Sequence, residues 1–228
     1  MLWISKWTCF SDHSLDNVGI KKPIIFSVFF FIITSLSSFG QGAWTEINID
    51  QDTGLRTGKI TINESEYEIK PNTDLSGLNL TGLDLSETIL YGANLSGLNL
   101  AGVDLSGANL FGANLFGADL SGANLSSANM DSVDLGDADL KGASLRGAVL
   151  KNAKLGLTNL TRCDLGYVDF TDAFLFSANL IRSDLENANF DNSNLLFSDA
   201  GYANLKNANF KNNDLTLSLI HISEPTRP

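Results

Sequence analysis

The fold is decided by the stretch GANLFGANLFGADLSGANL (Gly107–Leu125), in which one pattern returns every five residues. On an α-helix, five residues rotate the chain by about 500°, so the leucines would point in several directions. On a flat strand, an odd period sends successive leucines to opposite faces. The period therefore excludes both an amphipathic helix and a flat strand.

The leucine positions follow one another in steps of five from Leu75 to Leu215 without an insertion. The preceding residue is mostly Asn or Asp, the residue before that is mostly Ala, and Gly follows two positions later through most of the first half. Such unbroken spacing predicts a repeat array over residues 73–217. Leu occupies every leucine position except Met130, Phe170, Phe190, Ala200 and Phe210.

Strand alternation directs the Ala and Leu of each unit inward and the Asx between them toward water. The last two residues of a unit must then turn the chain, because otherwise the next Leu would point outward. A side of three extended residues is about 10 Å long, so four sides enclose a square filled by side chains. The prediction is a closed coil of twenty residues, and seven coils make a rod of about 34 Å.

Large and small core residues support a coil of four sides. Phe170, Phe190 and Phe210 are twenty residues apart and stack on one wall, and Ala200 lies on the opposite wall at their level. A large residue facing a small one keeps the core volume constant. The predicted core column includes Leu110, Leu115, Leu120, Leu125, Phe170, Phe190, Phe210 and Ala200.

The tandem pattern A-[D/N]-L-x-x resembles the pentapeptide repeat family, and the resemblance covers residues 73–217. It implies an all-β fold, a right-handed quadrilateral β-helix or solenoid. Some cytoplasmic members of that family mimic DNA and bind DNA gyrase. Solenoid ends need caps, and the alternation around Asn63-Glu64-Ser65 predicts a β-hairpin cap within residues 41–72.

The regions outside the array have different characters. Residues 1–40 form a predicted leader, in which Lys21 and Lys22 precede an apolar run at residues 24–36. That run has the length of a signal-peptide core, with cleavage before Gln41, and an uncleaved membrane anchor is the alternative. Residues 218–228 abandon the repeat and resemble translated adapter sequence, which leaves open a missing C-terminal domain.

Composition and motifs argue against catalysis and cofactors. The formal charge of −11 disfavours direct nucleic acid binding. Both histidines lie outside the array, so no catalytic triad and no zinc cluster is expected within it.

Carboxylate pairs such as Asp84/Asp104 fit a solvated repeat surface, and the acids of Asp50–Gly54 fit a polar turn better than a calcium loop. Cys163 takes an inward position as a buried hydrophobe, and no disulfide is implied. The sequence predicts no catalytic residues, no metal and no cofactor.

Charge divides the array into two halves. Residues 71–140 contain nine acids and no Lys or Arg, whereas acids and bases balance from residue 141 to residue 217. Lys141, Arg146, Lys151 and Lys154 fall within one coil on four different walls, as a ring. This ring is interpreted as relief of repulsion between stacked acids.

Apolar residues replace polar ones on one wall of the second half, which predicts an interaction surface. We call it the aromatic patch, and it consists of Leu157, Phe174, Phe176, Leu196 and Phe197. A smaller group consists of Tyr91, Phe111 and Phe116. The prediction is an exported, non-enzymatic binding or scaffold rod that contacts a protein partner or a second copy as a homodimer. The alternatives are a DNA-mimicking inhibitor or protector of DNA gyrase, and a carrier module for a missing C-terminal domain.

Overall fold

The structure, a computed structural model, describes residues 43–213 together with Leu215, Leu217 and Ser218. The predicted leader, with its apolar run at 24–36 and its cleavage point before Gln41, lies outside the described residues. So does the predicted tail beyond Ser218. Described residues form an N-terminal sheet followed by the repeat array, and both contribute to one hydrophobic core.

The N-terminal sheet contains β1 (Ala43–Ile49), β2 (Arg56–Ile62) and β3 (Ser65–Ile69), antiparallel in that order. The hairpin expected from the alternation is formed by β2 and β3. Its turn residues Asn63 and Glu64 have φ values of 49° and 65°, the left-handed conformation of a tight two-residue turn. Strand β1 was not predicted from the sequence.

The sheet closes onto the first coil through β2. Arg56, its first residue, pairs in parallel with Thr88, and its guanidinium forms an ion pair of 3.0 Å with Asp84. The indole of Trp44 in β1 donates a hydrogen bond of 2.7 Å to the carbonyl oxygen of Asp84. Backbone groups that the first coil would leave unpaired are thereby satisfied.

The array closes a coil every twenty residues. From Asp74 with Asn94 through Asn189 with Asn209, parallel bridges join every Asx position except Asn79 to the position twenty residues later. Between successive units, the N–H of Ala113 donates to the carbonyl of Leu110 at 2.9 Å, which closes the turn. Other backbone groups bond to adjacent coils, as when the N–H of Leu110 donates to Asn129 at 2.7 Å. One coil therefore contains four units, as the spacing predicts.

The turn explains the glycines of the first half. From Gly77 to Asn212, the second residue after each leucine position has a φ between 54° and 75°. Glycine adopts this left-handed conformation without strain, and Gly112 has nothing within 4 Å of where a Cβ would lie. Backbone conformation, not space, therefore favours glycine there, while the second half accepts strained residues such as Leu157 and Arg162.

Inward residues are buried as predicted along most of the array. Phe170 and Phe190 are fully buried, and their ring centroids lie 4.9 Å apart with the rings nearly parallel. Phe210 stacks on Phe190 at the same distance, but it is only half-buried because no later coil covers it among the described residues. Leu215, predicted to point inward, is 37% exposed. Leu205 is also only partly buried, so burial of the column is incomplete at the last three leucine positions.

The Asx residues point outward, but solvation is not their main role. The carboxylate of Asp119 accepts a hydrogen bond of 2.9 Å from the N–H of Ser121, and Asn109 does the same for Phe111 at 3.1 Å. Each such side chain fixes the turn that follows it, as Asx residues do in other turns. The Asx preference therefore has a structural cause that the sequence pattern did not disclose.

Candidate binding surfaces

The three phenylalanines of the aromatic patch form one connected cluster. The rings of Phe174 and Phe176 stack with centroids 5.9 Å apart, and Phe176 meets Phe197 edge to face at 5.4 Å. Phe174 and Phe176 belong to one coil and Phe197 to the next, so the cluster continues along the array. Both geometries are favourable for aromatic pairs.

The patch lies flat against the array and remains partly open to solvent. The ring of Phe174 lies over Gly156, where an added Cβ would approach the ring to 3.4 Å. Leu157 is 61% exposed and Phe197 is 49% exposed, whereas Phe176 and Leu196 are half-buried. The patch therefore combines fixed rings with accessible apolar surface.

The smaller aromatic group is exposed but does not form such a cluster. Tyr91, Phe111 and Phe116 are each exposed, and the ring of Phe116 lies against Gly136 of the following coil. Among the described residues, no aromatic contact joins these three rings. They are separate apolar positions within the acidic half.

Three of the four bases that form the ring in one coil make ion pairs with acids of neighbouring coils. Arg146 pairs with Asp164 at 3.5 Å and Lys151 with Asp169 at 3.2 Å, both in the following coil. Lys154 pairs at 3.2 Å with an acid of the preceding coil, Asp134. The interpretation as charge relief is confirmed for these bases, but Lys141 forms no ion pair with any described residue.

The paired carboxylates have structural partners. Burial opposes ionisation of Asp84, but hydrogen bonds from Ser86 and the Arg56 guanidinium outweigh it and hold the pKa of Asp84 below its ordinary value. Its bridge partner Asp104 accepts from the N–H of Ser106 at 2.9 Å. Asp84 therefore serves as an anion that ties the cap to the array. Its pKa shift is opposite to that of a general acid.

The two other candidate sites also have structural roles. Asp50 accepts hydrogen bonds from the hydroxyl and N–H of Thr53, and these lower the pKa of Asp50. Burial raises the pKa of the Cys163 thiol to about 12, and its S–H donates to the carbonyl of Leu140 at 2.9 Å. The thiol is therefore protonated at neutral pH and poorly nucleophilic. Within the described residues, no group of His, Cys, Asp and Glu has a geometry that could hold a metal ion.

Comparison with known families decides the classification. A model described as pentapeptide repeats matches in eight copies, over residues 72–107, 108–147, 138–180 and 175–212. These segments cover more than half of the chain. The chain belongs to the pentapeptide repeat family.

Solved structures of other proteins resemble this one in part. A protein of the Arabidopsis thaliana thylakoid lumen is 31% identical, with 45% of this chain and 70% of that chain covered and a TM-score of 0.38. HetL, involved in heterocyst differentiation regulation in Nostoc sp. strain PCC 7120, is 28% identical over 65% of this chain and 86% of its own, with a TM-score of 0.27. QnrB1, a plasmid-mediated fluoroquinolone resistance protein, is 19% identical over 63% and 80% of the two chains, with a TM-score of 0.25. No curated protein matches the chain.

This pentapeptide repeat protein also has surface residues that the sequence reasoning missed. Arg162, Arg182 and Tyr202 occupy the same position in three successive coils, and Tyr202 is 73% exposed. Their spacing of twenty residues is visible in the sequence, but a comparison of charges within one coil does not reveal a row that runs from coil to coil.

In the part of the chain that the structure describes, no helix has the length and apolar character needed to cross a bilayer.

Proposed function

We propose that this pentapeptide repeat protein is an exported, non-enzymatic rod that binds protein through the aromatic patch. The observation that carries the proposal is the connected cluster of Phe174, Phe176 and Phe197. Phe174 stands where the repeat mostly has Asn or Asp, and its backbone N–H still donates to the carbonyl of Ala153 in the preceding coil at 2.9 Å. The fold is thus maintained while a polar surface position has become aromatic.

The proposed rod is a right-handed coil with a four-sided cross-section. Support comes from coils of twenty residues with four turns each, and the handedness follows from membership in the family. Since every coil bonds to the next through its backbone, surface residues are held on a stiff support. Binding at the patch would then cost little conformational entropy, because the scaffold is already ordered.

The non-enzymatic role is supported by the state of the reactive groups. Asp84, Asp50 and Cys163 are each engaged in hydrogen bonds within the fold. The aromatic patch itself is apolar and contains no titratable side chain. Contiguous apolar surface of a few hundred Å² is about the size at which exposed patches mark interaction sites.

Export is tested by the N-terminus of the protein recovered from its native cell. Cleavage of the leader should yield a mature chain that begins near Gln41, because the apolar run at 24–36 has the length of a signal-peptide core. Mass spectrometry of the intact protein and its N-terminal peptide measures this directly. A chain that retains residues 1–40 would contradict cleavage, and fractionation into the membrane would then favour the anchor.

Binding through the aromatic patch is tested with Phe176→Asp and Phe197→Asp. Each change places a charge in the ring cluster, so we expect lower self-association at high concentration and weaker binding of an apolar fluorescent dye. Light scattering over a concentration series and dye titration provide the measurements. Asn194→Asp is the matched control, since it adds the same charge at an exposed Asx position without replacing a residue of the patch. A wild-type protein that stays monomeric, binds no dye and equals both variants in solubility would refute the proposal.

A further inference from the structure

Four bases of the array form no ion pair with any described residue, namely Lys141, Arg162, Arg182 and Lys211. Three of them, Lys141, Arg162 and Arg182, lie along the same groove. We call these three residues the cation row. Paired bases in the described part of the chain are Arg56, Lys59, Lys70, Arg146, Lys151, Lys154 and Lys206.

The cation row lines one shallow groove. The groove encloses about 320 Å³ and is lined by the row together with Thr161, Ile181 and Tyr202. These residues come from four successive coils, so the groove extends about 14 Å along the array. At one end, the Arg182 guanidinium lies 5.9 Å from the centroid of the Tyr202 ring.

The acids that follow the two arginines in the sequence already have other partners. Asp164 pairs with Arg146 and accepts from the N–H of Gly166, while Asp184 accepts from Asn204 and from the N–H of Glu186. The remaining acids beside the groove lie at its two ends, Asp139 before Lys141 and Asp199 before Tyr202.

Between those ends, Arg162 and Arg182 occupy the same position in successive coils, and the neutral residues Asn159 and Asn179 precede them. Like charges at this spacing repel, and an anion bound between them removes the repulsion. Arginine supplies several donors for a carboxylate or sulfate group.

From this arrangement we propose that the groove binds an acidic polysaccharide along the axis of the array. The cations repeat about every 4.8 Å, one coil, whereas duplex DNA carries a phosphate charge about every 1.7 Å. A sugar polymer with one charge per ring matches the sparser spacing. Tyr202 offers an exposed aromatic face on which a sugar ring can stack.

The test is a calorimetric titration of the full chain with polygalacturonate and with dextran sulfate. The methyl-esterified polygalacturonate, which keeps the sugar backbone without its charge, is the ligand control. We expect binding of the acidic polymer to weaken by about tenfold or more in Arg162→Gln/Arg182→Gln, because two charge-assisted contacts are lost. Tyr202→Ala should weaken it several-fold. Binding should also fall as salt is added.

Two matched variants separate this site from general charge and from the aromatic patch. Lys151→Gln removes one base from a different column, and Phe197→Asp alters the patch, so both should bind the polymer as the wild type does. Thermal melting by circular dichroism confirms that each variant is folded. Failure of polygalacturonate, which has the proposed one charge per ring, to bind would overturn the inference, whether or not the more highly charged dextran sulfate binds. It would likewise be overturned by equal losses in Lys151→Gln, or by a DNA duplex that binds as tightly with the same dependence on Arg162 and Arg182.

Discussion

Leu120→Asp is expected to lower the free energy of unfolding by about 4 kcal/mol or more. Leu120 is fully buried in the middle of the array, and its N–H donates to Asp139 of the next coil at 2.6 Å. The change removes a buried leucine and leaves a carboxylate without a partner among apolar neighbours. Since each coil is stabilised by its neighbours, the damage spreads to both sides of the substitution. Denaturant unfolding followed by circular dichroism measures the loss.

The adjacent residue is the control for this prediction. Asp119→Ala removes the acceptor for the N–H of Ser121 and should cost about 1 kcal/mol. Asp119→Asn retains an acceptor oxygen in the same place and should cost less. If Leu120→Asp and Asp119→Ala destabilised the protein equally, the assignment of inward and outward positions would be wrong.

Ala200→Leu is expected to destabilise the protein by about 1–3 kcal/mol, although it restores the commonest residue of the repeat. Ala200 is buried, and ten residues separate it from Phe190 and from Phe210 in a coil of twenty. In a four-sided coil, it faces the stacked phenylalanines across the core. Extra methyl groups at that position would overpack the interior. The midpoint of thermal unfolding measures the effect.

A double-mutant cycle tests whether the side chains at positions 190 and 200 pack against each other in the core. Phe190→Leu makes room at the fully buried ring, so combining it with Ala200→Leu should recover part of the stability lost. Phe190 is a better partner than Phe210, because Phe210 is only half-buried. Strictly additive losses would mean that the residues do not face each other, which would argue against a four-sided coil.

The repeated sequence pattern made the backbone of the array predictable. Contacts between its surface side chains were much less predictable. The five-residue period depends on local chain geometry, and any closed coil that keeps leucine inside must turn once per unit. Surface contacts depend instead on the direction in which long side chains reach. Arg146 and Lys151 pair with the following coil, whereas Lys154 pairs with the preceding one. No pattern in the sequence distinguishes these directions.

The sequence by itself determined the repeat, the inward leucines, the twenty-residue coil and the hairpin around Asn63 and Glu64, because each follows from spacing along a continuous chain. Tertiary structure alone decided which bases lack partners, and it brought Arg162, Arg182 and Tyr202 to one groove. It also decided that β1 joins the cap and that Phe210 stays half-buried. These outcomes depend on neighbours distant in sequence. Packing and charge pairing are settled only when successive coils lie against each other.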